Sequence, residues 1–365
     1  MPSNAELKYL IDSYLDWTKA QDIPVIEGIA VDLTAVETAP WPALGSSCRA
    51  AFVHLKARGD FVALQVIDLP KQASTEQLRH LYDEVFYVLS GHGNVTVEIG
   101  EGRNQSFNFR ERALFSLPMN APFRISNTSG NGNLRLVSAS DLPFILNIYR
   151  NPKFVFNNGF QFPERAGNNS HYRGEGDVLK KNPGSHILET NFLPDLKTVP
   201  LPEWEARGAG SRNINISMAG SSMHVHAAEI PVCTYKKAHR HGPGSHVFIV
   251  EGSGYTLMWN RDDTEFERYD WKPGFVFAPP GGMFNQHFNT GDVPVRYFAV
   301  SVGGHRYPVL DRKFARKQAP TLPLKSGGPQ IDYEDQDPQI HKLWLQELAK
   351  TGKKSGMGKY INELH

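Results

Sequence analysis

Residues 238–252 read AHRHGPGSHVFIVEG, and residues 273–291 read PGFVFAPPGGMFNQHFNTG. Short apolar runs such as VFIV and FVF, bounded by Gly and Pro, mark short strands. On a strand, residues i and i+2 point to the same face. His239 and His241 therefore project together, and so do Asn285, His287 and Asn289. If the two strands are neighbours in one small barrel, three imidazoles converge inside it. Such a cluster is costly to bury unless something organises it. A divalent metal does so, because neutral imidazole is a good ligand for Fe, Mn, Ni, Cu or Zn.

The same pattern occurs earlier in the chain. RHLYDEVFYVLSGHGNVTVEIG, from Arg79, parallels RHGPGSHVFIVEGSGYTLMW, from Arg240. LPMNAPFRISNTSG, from Leu117, parallels PPGGMFNQHFNTGD, from Pro279. The offset is about 161–162 residues, a domain-sized period. The first copy has lost most of its chemistry. His80 and Glu84 remain, but Leu78 stands where His239 would be and Ile125 aligns with His287. It reads as a degenerate unit kept for packing and dimerisation; the sharper reading is an anion pocket of Arg124 and Glu84.

These motifs resemble the cupin superfamily, and the duplication resembles a bicupin. His239, His241 and Gly252 fit the family's first motif; Gly274, Pro280, Gly282, His287 and Asn289 fit the second. Two positions depart. His246 stands in place of the usual Glu, and His287 sits two places beyond the strictest spacing, where Asn285 stands. The His-Arg-His and Gln-His-Phe-Asn segments resemble the gentisate and salicylate 1,2-dioxygenase group, which holds ferrous iron with three His and no carboxylate. The resemblance implies an all-β fold of two tandem cupin (double-stranded β-helix, jelly-roll) barrels with N- and C-terminal helices. It implies a metal set of His239, His241, His246 and His287, with His246 as fourth ligand or as a neighbour that orients one. Fe(II) is the expected ion, with Mn(II), Ni(II) and Cu(II) as alternatives, and the assembly a homodimer or homotetramer.

Strand parity nominates the rest of the pocket. In IPVCTYKKAHRH (230–241), Cys233, Tyr235 and Lys237 share the face of His239. Tyr235 is the candidate catalytic proton donor, and Lys237 would pair with a substrate carboxylate. Asn285, Trp259 and Phe248, with Phe284 and Tyr297, supply the remaining wall. A lone His-x-His on a strand is ordinarily a surface or core feature, so His224 and His226 in MHVHAAEI are set aside.

Composition bounds the partners. The 365 residues carry 39 Lys+Arg against 38 Asp+Glu, a formal net charge of +1. No global field attracts nucleic acid or an anionic membrane, so a small-molecule substrate is expected. The start of the chain lacks a signal-peptide pattern, and no apolar run is long enough to span a bilayer. With only Cys48 and Cys233, the chain reads as cytoplasmic with free thiols. The expected organisation is a helix and arm (1–45, helix over 4–20), a degenerate barrel (46–150), a connecting segment (151–212), a metal-binding barrel (213–310) and an extension (311–365). In the last, Asp337 and Pro338 start a helix with Leu343, Leu345 and Leu348 on one side. The expected function is a non-haem Fe(II) dioxygenase acting with dioxygen on a small aromatic or enolisable acid. The alternatives are a manganese bicupin decarboxylase, lyase or isomerase, and a non-catalytic metal-binding bicupin.

Overall fold

The computed structural model describes residues 10–100, 102–180, 186–242, 244–304, 306–309 and 320–361. Among them the strands, mostly antiparallel, are arranged in four sheets. The first half of the chain forms one large sheet with the central order Arg49–Leu55, Ala63–Leu69, Leu134–Ser140, Glu84–Ser90, Leu114–Ser116. A small sheet of Phe123–Asn127, His92–Glu98 and Asn104–Arg110 faces it. The second half repeats this with Arg212–Ser217, Met223–Ile230, Val295–Val302, His246–Glu251 and Phe275–Phe277 in the large sheet. Its smaller sheet holds Glu267–Trp271, Gly254–Trp259, Phe284–Asn289, Ala238–His239 and Gln330–Ile331.

The halves interlock. Ala30–Asp32 from the N-terminal arm pairs with Phe275–Phe277 of the second half. Phe192–Leu193 from the connecting segment pairs with Leu114–Ser116 of the first half. The large sheets pack on each other through their outer faces, where Val85, Tyr87 and Val137 meet Phe248, Phe298 and Val300 in one core. Each large sheet is thus covered twice, which is why Glu84–Ser90 and His246–Glu251 read as continuous apolar runs. His92–Glu98, covered on one face, alternates between buried and exposed.

The repeat is physical as well as textual. Asn127 donates its side-chain amide to Leu69 O, Pro70 O and Gly132 O and accepts from Ser129 N. Asn289 does the same with Ile230 O, Pro231 O, Val293 O and Gly291 N. Gly91 and Gly252 each end the first motif's strand in the left-handed region, at φ 85° and 80°, where a side chain would be strained.

Two terminal expectations need correction. Of the helix predicted over 4–20, Ser13–Lys19 is helical, capped by Asp12, whose side chain accepts from Leu15 N; residues 4–9 lie outside the described residues. Leu10 and Ile11 are exposed, and only Tyr14 of the predicted stripe is buried among them. The C-terminal helix Pro338–Lys350 has the Asp337 cap, but its buried stripe is Ile340, Trp344 and Leu348, while Leu345 is exposed. Those i, i+4, i+8 positions cover the outer face of the small second-half sheet, against Tyr235 and Phe288. Cys48 and Cys233 are free and buried. Among the described residues, no helix is long and apolar enough to cross a membrane.

Trp344 is fully buried, so Trp344→Ala should cost about 3–5 kcal/mol of unfolding free energy, read by chemical denaturation.

Candidate metal centre

His239 ends the strand Ala238–His239 and lies opposite Asn285; His287 lies opposite Thr256. Directly opposed residues share a face, and His287 is two residues from Asn285, so all four point into the second half. The ring of His239 lies 5.7 Å from that of His241 and 6.0 Å from that of His287, centroid to centroid. Each ring has its Nδ1 engaged: Lys237 O for His239 at 3.5 Å, Gly242 O for His241 at 2.8 Å, Thr256 Oγ1 for His287 at 2.9 Å. A carbonyl only accepts, so His239 and His241 carry their proton on Nδ1, and Nε2 bears the lone pair. Trp271 Nε1 donates to Thr256 Oγ1 at 2.9 Å, holding the hydroxyl that meets His287.

Burial lowers the His287 pKa to about 3, helped by the charges of Lys236, His241 and Arg207. His239 is pushed well below the usual range, again by burial first. Protonating His287 in place would cost on the order of 5 kcal/mol, so the rings of His239 and His287 are neutral at pH 7. Neutral imidazoles with Nδ1 held are the donor set a divalent ion requires, and they fit one chemically. Their nitrogens do not all lie within 4.8 Å of one another, so a bound ion would have to draw the rings inward. The one described cluster that meets that spacing, Asp332, Glu334 and Asp335, is a mostly exposed acidic group answered by Lys237 and Lys325.

The strand before His239 does not keep its parity. Tyr235 lies opposite Phe288, but His239 lies opposite Asn285. Four residues on one strand span three on the other, a bulge that flips the side chains between them. The inward residues are consequently Lys236 and His239. Lys236 is buried; its Nζ donates to Tyr297 Oη at 2.7 Å and sits 4.9 Å from that ring's centroid. Desolvation lowers its pKa to about 7, with the charge of Arg207 adding to the effect. Arg207 is itself lowered, to about 10, by burial of its guanidinium and stays cationic. Tyr297 packs edge-on to His287 at 5.9 Å.

Neither protein-family models nor curated proteins match the chain. Solved structures do. A four-residue replacement mutant of Bacillus subtilis oxalate decarboxylase aligns with TM-score 0.50 and 14% identity, over 87% of this chain and 86% of that one. A tryptophan-to-phenylalanine variant of the same enzyme aligns with TM-score 0.48 and 15% identity, over 76% and 78%. The chain has a bicupin fold. At such identity the likeness concerns the fold alone.

Within that fold, His246 does not join the other histidines. It lies opposite Val300 just as Val85 of the first cupin unit lies opposite Ala139, and Val85 belongs to the core between the units. Val247 and Ile249, on the other face, fill the inside of the second unit. The position matching Glu84 is therefore Ser245, seven residues before Gly252 as Glu84 is seven before Gly91. His246 Nδ1 meets Gly244 O at 3.0 Å, and its buried Nε2 has no partner among the described residues. The alignment of His246 with the usual Glu was off by one residue, and one residue reverses the face.

The bulge removes other candidates from this face. Tyr235 is buried under the C-terminal helix, accepting from Gln336 Nε2 at 2.8 Å and meeting His341 Nδ1 at 3.0 Å. Lys237 is ion-paired to Asp332 at 2.8 Å. Trp259 and Phe284 pack in the same outer core. Phe248 stacks on Phe298 at 4.6 Å between the units. Asn285 is beside His239, donating to its carbonyl at 2.9 Å, with Oδ1 buried and without a partner among the described residues. In the first unit, Arg124 is exposed, so Glu84 has no arginine partner there. His224 and His226 share the strand face of Ala228 and Ile230, which line the second unit's core, and His226 lies 6.2 Å from Tyr297. Parity along MHVHAAEI could have found them, since Ala228 and Ile230 continue their face. Lys236, Arg207 and Thr256 carried no motif.

His246→Val should leave metal stoichiometry by atomic emission unchanged. Burial holds its folded pKa near 4, below the unfolded 6.5. Its contribution is complete above pH 6.5 and is lost as pH falls towards 4. Wild type should therefore lose about 2 kcal/mol more than the variant between pH 7 and pH 5 in urea titrations.

Proposed function

We propose that this bicupin is a metal-dependent enzyme that binds and transforms a small organic anion in its second unit. The observation that carries this reading is the buried Lys236, with Arg207 near it, beside the clustered rings of His239, His241 and His287. A buried lysine amine with a guanidinium near it and no carboxylate among its close partners favours an anion beside it. His239, His241 and His287 would hold the ion. A divalent ion there supplies a Lewis-acid template for a carboxylate or enolate. Thr256 and Trp271 keep the His287 ring fixed, and Tyr297 keeps Lys236 aimed. Phe277, 5.6 Å from His287, and Met258 exclude water from that side.

Two reactions are supported by different observations. The folds it resembles are those of oxalate decarboxylase, which favours oxygen-independent cleavage of a small acid, with manganese as the ion. The imidazole-only set, with Ser245 at the carboxylate corner, favours ferrous iron and dioxygenation of a small aromatic or enolisable acid. A cytoplasmic homodimer or homotetramer is part of the same proposal.

Anaerobic reconstitution with Fe(II) or Mn(II), followed by oxygen uptake and carbon dioxide release on oxalate and hydroxylated aromatic acids, separates the two. Turnover with manganese and no oxygen uptake selects the decarboxylase; oxygen uptake with iron selects the dioxygenase. His239→Ala should reduce bound metal to background while the far-ultraviolet spectrum is kept; stoichiometric metal in that variant would overturn the ligand assignment. Lys236→Gln should raise KM for the anionic substrate about tenfold with metal content unchanged.

A further inference from the structure

The bulge that admits Lys236 is present in both units. In the first, Ser74 lies opposite Ser126 and Leu78 opposite Phe123, again four residues against three. Thr75 therefore matches Lys236, and Leu78, His80, Glu84 and Ile125 match His239, His241, Ser245 and His287. These five first-unit residues line one cavity of about 520 Å³, within the range of small-ligand sites. Protein interiors are ordinarily filled, so the degenerate unit has kept the space while losing the ligand set. One imidazole and one carboxylate remain, too few donors for a metal site.

What remains is specific. His80 and Glu84 are both buried, with His80 Nε2 3.3 Å from Glu84 Oε2. The His80 ring is stacked on Tyr82 at 3.6 Å and edge-on to Phe123 at 5.6 Å, so its orientation is fixed. Trp17, Trp41, Phe86 and Phe123 also line the cavity. The one lysine or arginine on its wall, Arg79, is half-buried and donates to Asn158 O at 3.3 Å. Aromatic walls fit a planar ring, and a buried carboxyl beside a neutral imidazole fits a hydrogen-bond donor. An anion would meet the Glu84 carboxyl, while the guanidinium of Arg79 is turned to Asn158 O.

We propose that the first unit is a second, metal-free binding site that takes an uncharged aromatic alcohol, its ring between the aromatic walls and its hydroxyl on the His80–Glu84 pair. Its polarity is opposite to that of the second unit, so the two sites take different ligands.

Calorimetric titration of the full-length protein at pH 7 with 2-naphthol and with 2-naphthoate tests this. One 2-naphthol per chain should bind at least about tenfold more tightly than 2-naphthoate, the difference expected when one buried hydrogen bond is lost and its partner left unsatisfied. His239→Ala should keep that affinity within about twofold. Glu84→Gln should weaken it about tenfold, and Ile125→Trp, which fills the cavity, should abolish it. Should Ile125→Trp fail to fold, Glu84→Gln and the naphthoate comparison decide. No binding of 2-naphthol at millimolar concentration, equal binding of the two ligands, an affinity unmoved in Glu84→Gln, or loss of binding in His239→Ala would each overturn the proposal.

Discussion

A one-residue slip between two strands decides what this protein presents to a ligand. Between Tyr235 and His239 the chain spends four residues against three on the partner strand. Regular pairing would have turned Tyr235 and Lys237 inward with His239. The slip turns Lys236 inward instead and sends Tyr235 and Lys237 out towards the C-terminal extension, where Gln336 and Asp332 receive them. A bulge costs part of the hydrogen-bond ladder. Its recurrence between Ser74 and Leu78 shows that the device belongs to the repeated unit and not to one site.

The second constraint is that both large sheets are covered on both faces. The outer faces meet in a shared core that includes Val85, Phe248 and Val300, while the inner faces enclose separate cores. Along each strand the chemistry must fall on one parity and the inter-unit packing on the other. His246 falls on the packing side. It is held neutral by burial, and it takes the place that Val85 fills in the first unit.

The two units have parted electrostatically while keeping one backbone plan. The first retains the carboxyl of Glu84, raised by burial to about 7, beside a His80 lowered to about 3. The second retains three imidazoles and gains Lys236 at the place of Thr75. On the proposals made above, one interior would take a neutral donor and the other an anion.

The sequence by itself determined the mostly β, duplicated architecture, because a two-residue alternation, Gly and Pro punctuation and the paired SNTSG and FNTGD turns are local signals. It also placed His239 with His241, an i, i+2 spacing, whereas their approach to His287, some fifty residues on, is a pairing that the structure supplies. Which of Tyr235, Lys236 and Lys237 enters the interior was decided only by the tertiary structure. A bulge shows as a register change between two strands some fifty residues apart, and no single stretch of sequence carries it. The face of His246 was likewise decided by the structure, because both faces of its strand are buried and hydrophobicity does not distinguish them. The approach of Arg207 to the histidines was decided there too, since it comes from the segment between the units and is brought in only when the sheets have closed around it.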